Sequence, residues 1–131
     1  MKKPHKPILF AAISAGLLLG ACDNDKFPEE EIVVKDNVSF ALDIQPILTL
    51  ECATCHNPSE AEPDLREGFA YGSLMSLEEG AIVPGNAEGS ELVEMLEWAE
   101  GVDNPMPTAG RMSPLKIALI KKWIDEGALD N

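Results

Sequence analysis

The sequence is poor in the features on which several common functions depend. Only 10 of its 131 residues are Lys or Arg, against 23 Asp or Glu, and the net charge is −13. A nucleic-acid-binding protein is expected to carry a basic patch, so this charge argues against nucleic acid as a partner. It also argues against docking on anionic lipid headgroups. The chain has no Gly-rich phosphate loop, no internal repeat and no alternating strand pattern of useful length.

Cysteine and histidine are scarce as well, with three and two copies. Two of the cysteines and one histidine form Cys52-Ala53-Thr54-Cys55-His56. This C-x-x-C-H spacing is the attachment pattern of a c-type haem. Within one turn of backbone both thiols can reach the vinyl groups on one porphyrin edge, and the next residue supplies an axial imidazole. We therefore expect one covalent haem c, bound through Cys52, Cys55 and His56.

Two other interpretations of this motif are weaker. A structural zinc site needs four Cys or His ligands, and the only others are His5 and Cys22 in the N-terminal segment. A redox dithiol is expected to follow a strand in a βαβ unit. Here residues 43–51 precede the motif and predict a helix instead.

The N-terminus predicts export. A start with three lysines is followed by an apolar run over residues 8–19, which is too short to span a membrane comfortably. The ending Leu19-Gly20-Ala21-Cys22 resembles a bacterial lipoprotein signal, in which Cys22 becomes the lipid-modified N-terminus. An ordinary signal peptide or an uncleaved anchor is the alternative. We expect an exported protein on the periplasmic or cell-surface side, lipid-anchored at Cys22 to a bacterial membrane, with no thiol left for a disulfide.

Three parts follow from this division: a signal peptide over 1–21, an acidic tether over 22–36 and one folded domain over 37–131. The processed chain keeps seven Lys or Arg and all 23 acidic residues, a net charge of about −16. A redox protein partner with a basic docking surface is the natural complement, although the charge could serve solubility only. Because the whole chain has only seven aromatic residues, we expect the porphyrin to replace an aromatic centre and the haem-free chain to be poorly folded.

Helical periodicity predicts three helices, each beginning at a capping residue and each with an apolar face. The first runs from about Asp43 to Ala53 and leads into the haem motif. The second runs from Ser90 to Glu100 and is stopped by Gly101. The third begins at Ser113-Pro114 and ends at Gly127.

The second axial ligand is predicted to be a methionine, because only one histidine remains after cleavage. Met106 is flanked by two prolines, which fix the backbone of a loop that could place a thioether near the iron. Met112 and a vacant or water-bound iron remain alternatives. Met95 and Met75 are expected to pack instead.

The chain resembles a monohaem class I cytochrome c, of the kind found as bacterial lipoproteins or as domains of larger exported proteins. Besides the haem motif, the resemblance rests on four segments: Asp43–Leu48, Val83–Asn86 with Ser90, Asn104–Pro107 and Ser113–Ala128. It covers nearly all of 38–129. The chain departs from the family in having Asn104-Pro105, where Arg often precedes the ligand methionine.

This resemblance implies an all-α fold of three to five short helices wrapped around one haem. The first and last helices would cross, with Trp123 in the contact. Trp98, Tyr71 and Arg111 are candidates to reach the haem or its propionates, with packing or a surface position as the alternative.

The sequence therefore predicts a membrane-anchored one-electron carrier with His56/Met106 ligation. A six-coordinate iron has no open site, so neither an enzyme nor a small-molecule substrate is expected. The alternative is a ligand-binding or sensing haem with a weak or open sixth site. A tethered module serving one enzyme complex is a third possibility.

Overall fold

The computed structural model describes residues 32–131, so the predicted signal peptide, Cys22 and most of the predicted tether lie outside the described residues. This part of the chain forms four α-helices, preceded by a π-helical turn over Phe40–Ile44: α1 (Gln45–Glu51), α2 (Ala70–Met75), α3 (Glu91–Glu97) and α4 (Pro114–Asp125). Within 32–131 no strand forms, and the predicted all-α fold is confirmed. None of the helices in this part has the length and apolarity needed to cross a membrane.

The π turn and α1 together form a first helical segment over residues 40–51, which begins and ends earlier than the predicted helix from Asp43 to Ala53. The π turn places one extra residue in its hydrogen-bonded ring, with the Ile44 amide donating to the Ser39 carbonyl at 3.3 Å. Asp43 is therefore not the cap. Ser39 Oγ accepts from the Leu42 amide at 3.2 Å, and Asp43 Oδ2 accepts from the Ser39 amide at 2.8 Å. This reciprocal pair is a capping box widened by one residue.

The prediction for α3 was too long at its C-terminal end. Trp98, not Gly101, ends the helix, because its backbone takes the left-handed conformation (φ 57°) and its amide donates to the carbonyls of Glu94 and Met95. Ser90 does occupy the N-cap position, but its side chain makes no cap hydrogen bond. Ser90 Oγ instead accepts from the Val83 amide and donates to the Asn86 carbonyl, each at 2.9 Å. The buried serine thus fixes the turn before α3.

The last helix agrees with its predicted signals. Ser113 caps α4 by accepting from the Lys116 amide, and Pro114 occupies the first position. After Asp125 the chain turns through Gly127 (φ 103°), whose amide donates to the Ile124 carbonyl at 2.9 Å. A glycine suits this positive φ because it has no Cβ to clash.

The core has an aromatic centre of its own, which corrects the expectation drawn from the low aromatic count. The rings of Phe40 and Trp123 lie 5.2 Å apart, and Tyr71 packs edge-on against Phe40 at the same distance. Trp123 is 1% exposed, and its Nε1 donates to the Leu129 carbonyl at 2.9 Å. Trp123 of α4 thus packs against Phe40 of the π turn, while the crossing of the first and last helices at the haem stays a prediction.

Candidate haem-attachment site

The motif over residues 52–56 folds into a single turn directly after α1. The Cys52 amide closes the helix on the Leu48 carbonyl at 3.0 Å. The Cys52 carbonyl then accepts from the amides of Cys55 (3.0 Å) and His56 (2.8 Å). Cys52 is half-buried, Cys55 is exposed, and both thiols are free. The turn therefore brings the two predicted attachment thiols and the predicted axial imidazole together.

The imidazole of His56 is oriented by a backbone contact. Its Nδ1 lies 3.2 Å from the Glu62 carbonyl oxygen. A carbonyl oxygen can only accept, so this contact places the ring proton on Nδ1 and leaves the lone pair on Nε2. A histidine in this tautomer, with Nδ1 hydrogen-bonded and Nε2 free, is the form that ligates a metal.

The segment that carries Glu62 is attached to α1 through a buried glutamine. The Leu65 amide donates to the His56 carbonyl at 3.0 Å, and Gln45 Nε2 donates to the Leu65 carbonyl at 3.3 Å. Gln45 is 8% exposed and also donates to Thr49 Oγ1. Sequence reasoning missed both Gln45 and Glu62. A backbone acceptor such as the Glu62 carbonyl has no side-chain signal, whereas the polar Gln45 on a buried helix face could have been noticed.

The donor set fits a covalently bound haem better than either alternative. Burial raises the pKa of the Cys52 thiol to about 11, with the charge of Glu51 and the neighbouring Cys55 adding to the effect. A reactive redox thiol needs a lowered pKa, so this environment does not favour the dithiol interpretation. Among residues 32–131 no group of three or more His, Cys, Asp or Glu is arranged to hold a metal ion, so nothing in this part of the chain supports the zinc interpretation.

The four methionines within residues 32–131 differ in their surroundings. Met106 is half-buried and packs against the core, in the loop between α3 and α4. Met112 is 6% exposed and belongs to the core itself, as its position before a helix cap suggested. Met95 is half-buried on α3, and Met75 is 37% exposed. The expected packing of Met75 is therefore wrong, because its end of α2 faces solvent.

The other candidate residues have protein partners. Tyr71 OH donates to the Ala128 carbonyl at 3.1 Å, so this tyrosine packs in the core. Trp98 Nε1 donates to the Met106 carbonyl at 3.2 Å. The Arg111 guanidinium lies 5.3 Å from the centre of the Trp98 ring. Arg111 is exposed, which agrees with the alternative prediction of a surface position, but its guanidinium is held over this ring.

Comparisons with known proteins agree with this site. Residues 52–110 match the family model described as Planctomycete cytochrome C. The fold is similar to a chain of Kuenenia stuttgartiensis hydrazine synthase, with 32% sequence identity and a TM-score of 0.53. That likeness covers 70% of this chain but only 16% of the hydrazine synthase chain. No curated protein matches the chain.

Both findings support a c-type cytochrome domain, and the cytochrome c family implies a covalently bound c-type haem. The matched stretch begins at Cys52 and extends past Met106. It thus includes the turn in which the two thiols and His56 are brought together.

Proposed function

We propose that the chain is a one-electron carrier in which His56 and Met106 are the two axial ligands of a single haem. The haem, when bound, supplies an iron that takes up and releases one electron. Cys52 and Cys55 hold the porphyrin, and the Glu62 carbonyl orients the His56 imidazole. The observation that carries the proposal is the 3.2 Å contact from His56 Nδ1, because it leaves Nε2 free for a metal.

The methionine side of the proposal is supported by the placement of Met106. Both peptide groups of Met106 bond to the end of α3, through the Met95 carbonyl at 3.0 Å and the Trp98 indole at 3.2 Å. Its thioether takes no part in these contacts. A thioether ligand favours ferrous iron and raises the reduction potential relative to bis-histidine ligation. With both axial positions filled, the protein offers a redox centre but no substrate site.

Carbon monoxide added to the reduced, mature protein tests this function. If two protein ligands occupy the iron, carbon monoxide finds no open position, and the absorption spectrum should not change when the gas is added. In a redox titration the same protein should behave as one centre, so that the solution potential changes by about 59 mV for each tenfold change in the ratio of oxidised to reduced protein. Ready binding of carbon monoxide by the unaltered protein contradicts the carrier and favours the sensing alternative.

We further propose that the redox partner presents a basic surface to the α3 side of the molecule. Residues 67–110 contain nine Asp or Glu and no Lys or Arg. This stretch includes α3, where Glu91 and Glu94 are exposed, and the loop that contains Met106. Lys121 pairs with Glu88 and Glu97 and offsets part of this charge, but acidic residues remain in excess on this side. An excess of one sign of charge around a redox centre raises the rate of encounter with an oppositely charged partner.

Electron exchange with small inorganic complexes checks this charge effect. We expect the rate with a cationic complex to fall several-fold as ionic strength rises from about 0.01 to 0.15 M, because the Debye length shrinks from about 30 to 8 Å. The fall is smaller for the Glu91→Gln/Glu94→Gln double variant. Asp36→Asn/Asp130→Asn, which removes equal charge outside this stretch and outside the segment that orients His56, is the control. A rate that does not depend on salt rules out steering.

The location of the protein is proposed from the N-terminal sequence alone. We propose cleavage before Cys22 and a lipid anchor on that cysteine, since more than one acyl chain anchors a protein stably. Fractionation of the cells that make the protein should find it in the membrane and, for Cys22→Ser, in the soluble exported or unprocessed pool. An unprocessed chain can stay in the membrane through its uncleaved signal peptide, so the result that contradicts the lipid anchor is a Cys22→Ser chain that is cleaved and still found in the membrane.

A further inference from the structure

The loop that contains Met106 closes on the last turn of α3. We name residues 99–112 the Met106 loop. The Met106 amide donates to the Met95 carbonyl at 3.0 Å, and the Trp98 indole Nε1–H donates to the Met106 carbonyl at 3.2 Å. Both backbone groups of this one residue are therefore bonded to residues only three positions apart, at the C-terminal end of α3. The backbone of Met106 is fixed without any use of its side chain.

Trp98 reaches the loop from an unusual backbone conformation. Its φ of 57° and ψ of 48° lie in the left-handed region, which a bulky side chain rarely adopts. Such a conformation persists only where the surrounding contacts determine it. Three hydrogen bonds hold Trp98 in this conformation: its backbone amide donates to the carbonyls of Glu94 and Met95, and its indole N–H donates to the Met106 carbonyl.

The far end of the Met106 loop returns to the same tryptophan. The Arg111 guanidinium lies over the Trp98 ring at 5.3 Å, within the range of a cation–π interaction. Arg111 Nη1 also donates to the Glu97 carbonyl at 3.2 Å, and Lys121 Nζ of α4 bonds the Glu97 carboxylate at 2.7 Å. The middle and the end of the loop thus both contact Trp98, and the adjacent Glu97 ties this turn to α4.

We propose that Trp98 is a positioning residue that holds the Met106 loop in the conformation from which the Met106 thioether ligates the iron, with Arg111 reinforcing it. This inference rests on the proposed His56/Met106 ligation. A ligand on a long loop is displaced when the loop opens. The indole bond and the stacked guanidinium lower the population of that open state, so the sixth position stays closed to external ligands.

Trp98→Phe tests the proposal, because it keeps an aromatic face for Arg111 and removes the indole donor. In the haem-loaded protein we expect hydrogen exchange of the Met106 amide to accelerate by about two- to tenfold, the effect of one net hydrogen bond. Carbon monoxide binding to the reduced protein should rise by a similar factor. The charge-transfer band of a methionine-ligated ferric haem should weaken. Arg111→Gln should produce smaller changes in the same direction.

Trp123→Phe is the matched control, because it also removes an indole hydrogen bond, to the Leu129 carbonyl, without touching the Met106 loop. It should lower stability and leave the Met106 amide, the band and carbon monoxide binding unchanged. The proposal is overturned if Trp98→Phe leaves all three unchanged or if Trp123→Phe alters them equally.

Failure of the ligation itself is a separate result. It is shown by ready binding of carbon monoxide to the unaltered protein together with a spectrum that Met106→Ala does not change. If Met106→Ala opens the iron while Trp98→Phe behaves as the unaltered protein, only the role of Trp98 is wrong.

Discussion

Replacement of Cys52 and Cys55 together by serine yields a chain that retains no haem after denaturing extraction and lacks a stable fold. The thioether bonds are the only covalent links that the proposal allows, so removal of both leaves the porphyrin held by ligation alone and free to dissociate. Burial of several hundred Å² of porphyrin at roughly 25 cal/mol per Å² contributes on the order of 10 kcal/mol. A domain of this size has a free energy of unfolding of about 5–15 kcal/mol, so loss of the haem removes most of it.

The measurement pairs haem absorbance after extraction with near-ultraviolet circular dichroism and thermal unfolding. Each single variant, Cys52→Ser or Cys55→Ser, should retain one thioether and part of the stability. Thr54→Ser is the matched control, because this exposed residue lies between the two cysteines and carries no attachment role. A haem-free double variant that unfolds cooperatively from a native-like state would show that the aromatic centre of Phe40, Tyr71 and Trp123 suffices.

The aromatic centre shows what composition could not reveal. Seven aromatic residues in the whole chain suggested that no such centre exists. Three of them nevertheless meet, because the π turn, α2 and α4 converge from positions 40, 71 and 123. Convergence over such sequence distances depends on tertiary packing, which neither a count nor a local period records.

Local signals predicted local structure well. Ser113-Pro114 and Gly127 specify both ends of α4, since capping and helix termination involve only neighbouring residues. The C-terminal end of α3 was mispredicted because Trp98 takes a left-handed conformation that contacts with the Met106 loop support. The π turn was missed because its extra residue has no sequence signature.

The site divides in the same way. The turn over residues 52–56 consists of five consecutive residues, so the sequence alone predicts that the two thiols and the imidazole lie close together. Its support comes from Gln45 and the Glu62 carbonyl, which act across gaps in the chain. The contact of Trp98 with Met106 joins residues eight positions apart, but it depends on the reversal of the chain at Trp98. Sequence periodicity placed this tryptophan in the last turn of a helix predicted to reach Glu100 and so did not reveal the reversal at Trp98.

Met106→Ala should convert the protein from a closed carrier into one that binds external ligands. The reduced variant binds carbon monoxide, the ferric variant lacks the thioether charge-transfer band, and the reduction potential falls. We expect a fall on the order of 0.1 V, within the span of about 0.8 V that axial ligands cover in haem proteins. Removal of a half-buried loop side chain should lower the stability much less than removal of the haem.

Met112→Ala distinguishes a ligand from a core methionine. Met112 is 6% exposed, so its truncation should cost about 2–5 kcal/mol of stability and leave the band and the potential nearly unchanged. Met75→Ala, at an exposed position, should alter neither stability nor spectrum. If the band disappears in Met112→Ala and persists in Met106→Ala, Met112 is the sixth ligand. In that case the hydrogen bonds from Met95 and Trp98 to the Met106 backbone hold the loop that leads to Met112. Arg111, the residue before Met112, also stacks on the Trp98 indole, so the same contacts position Met112.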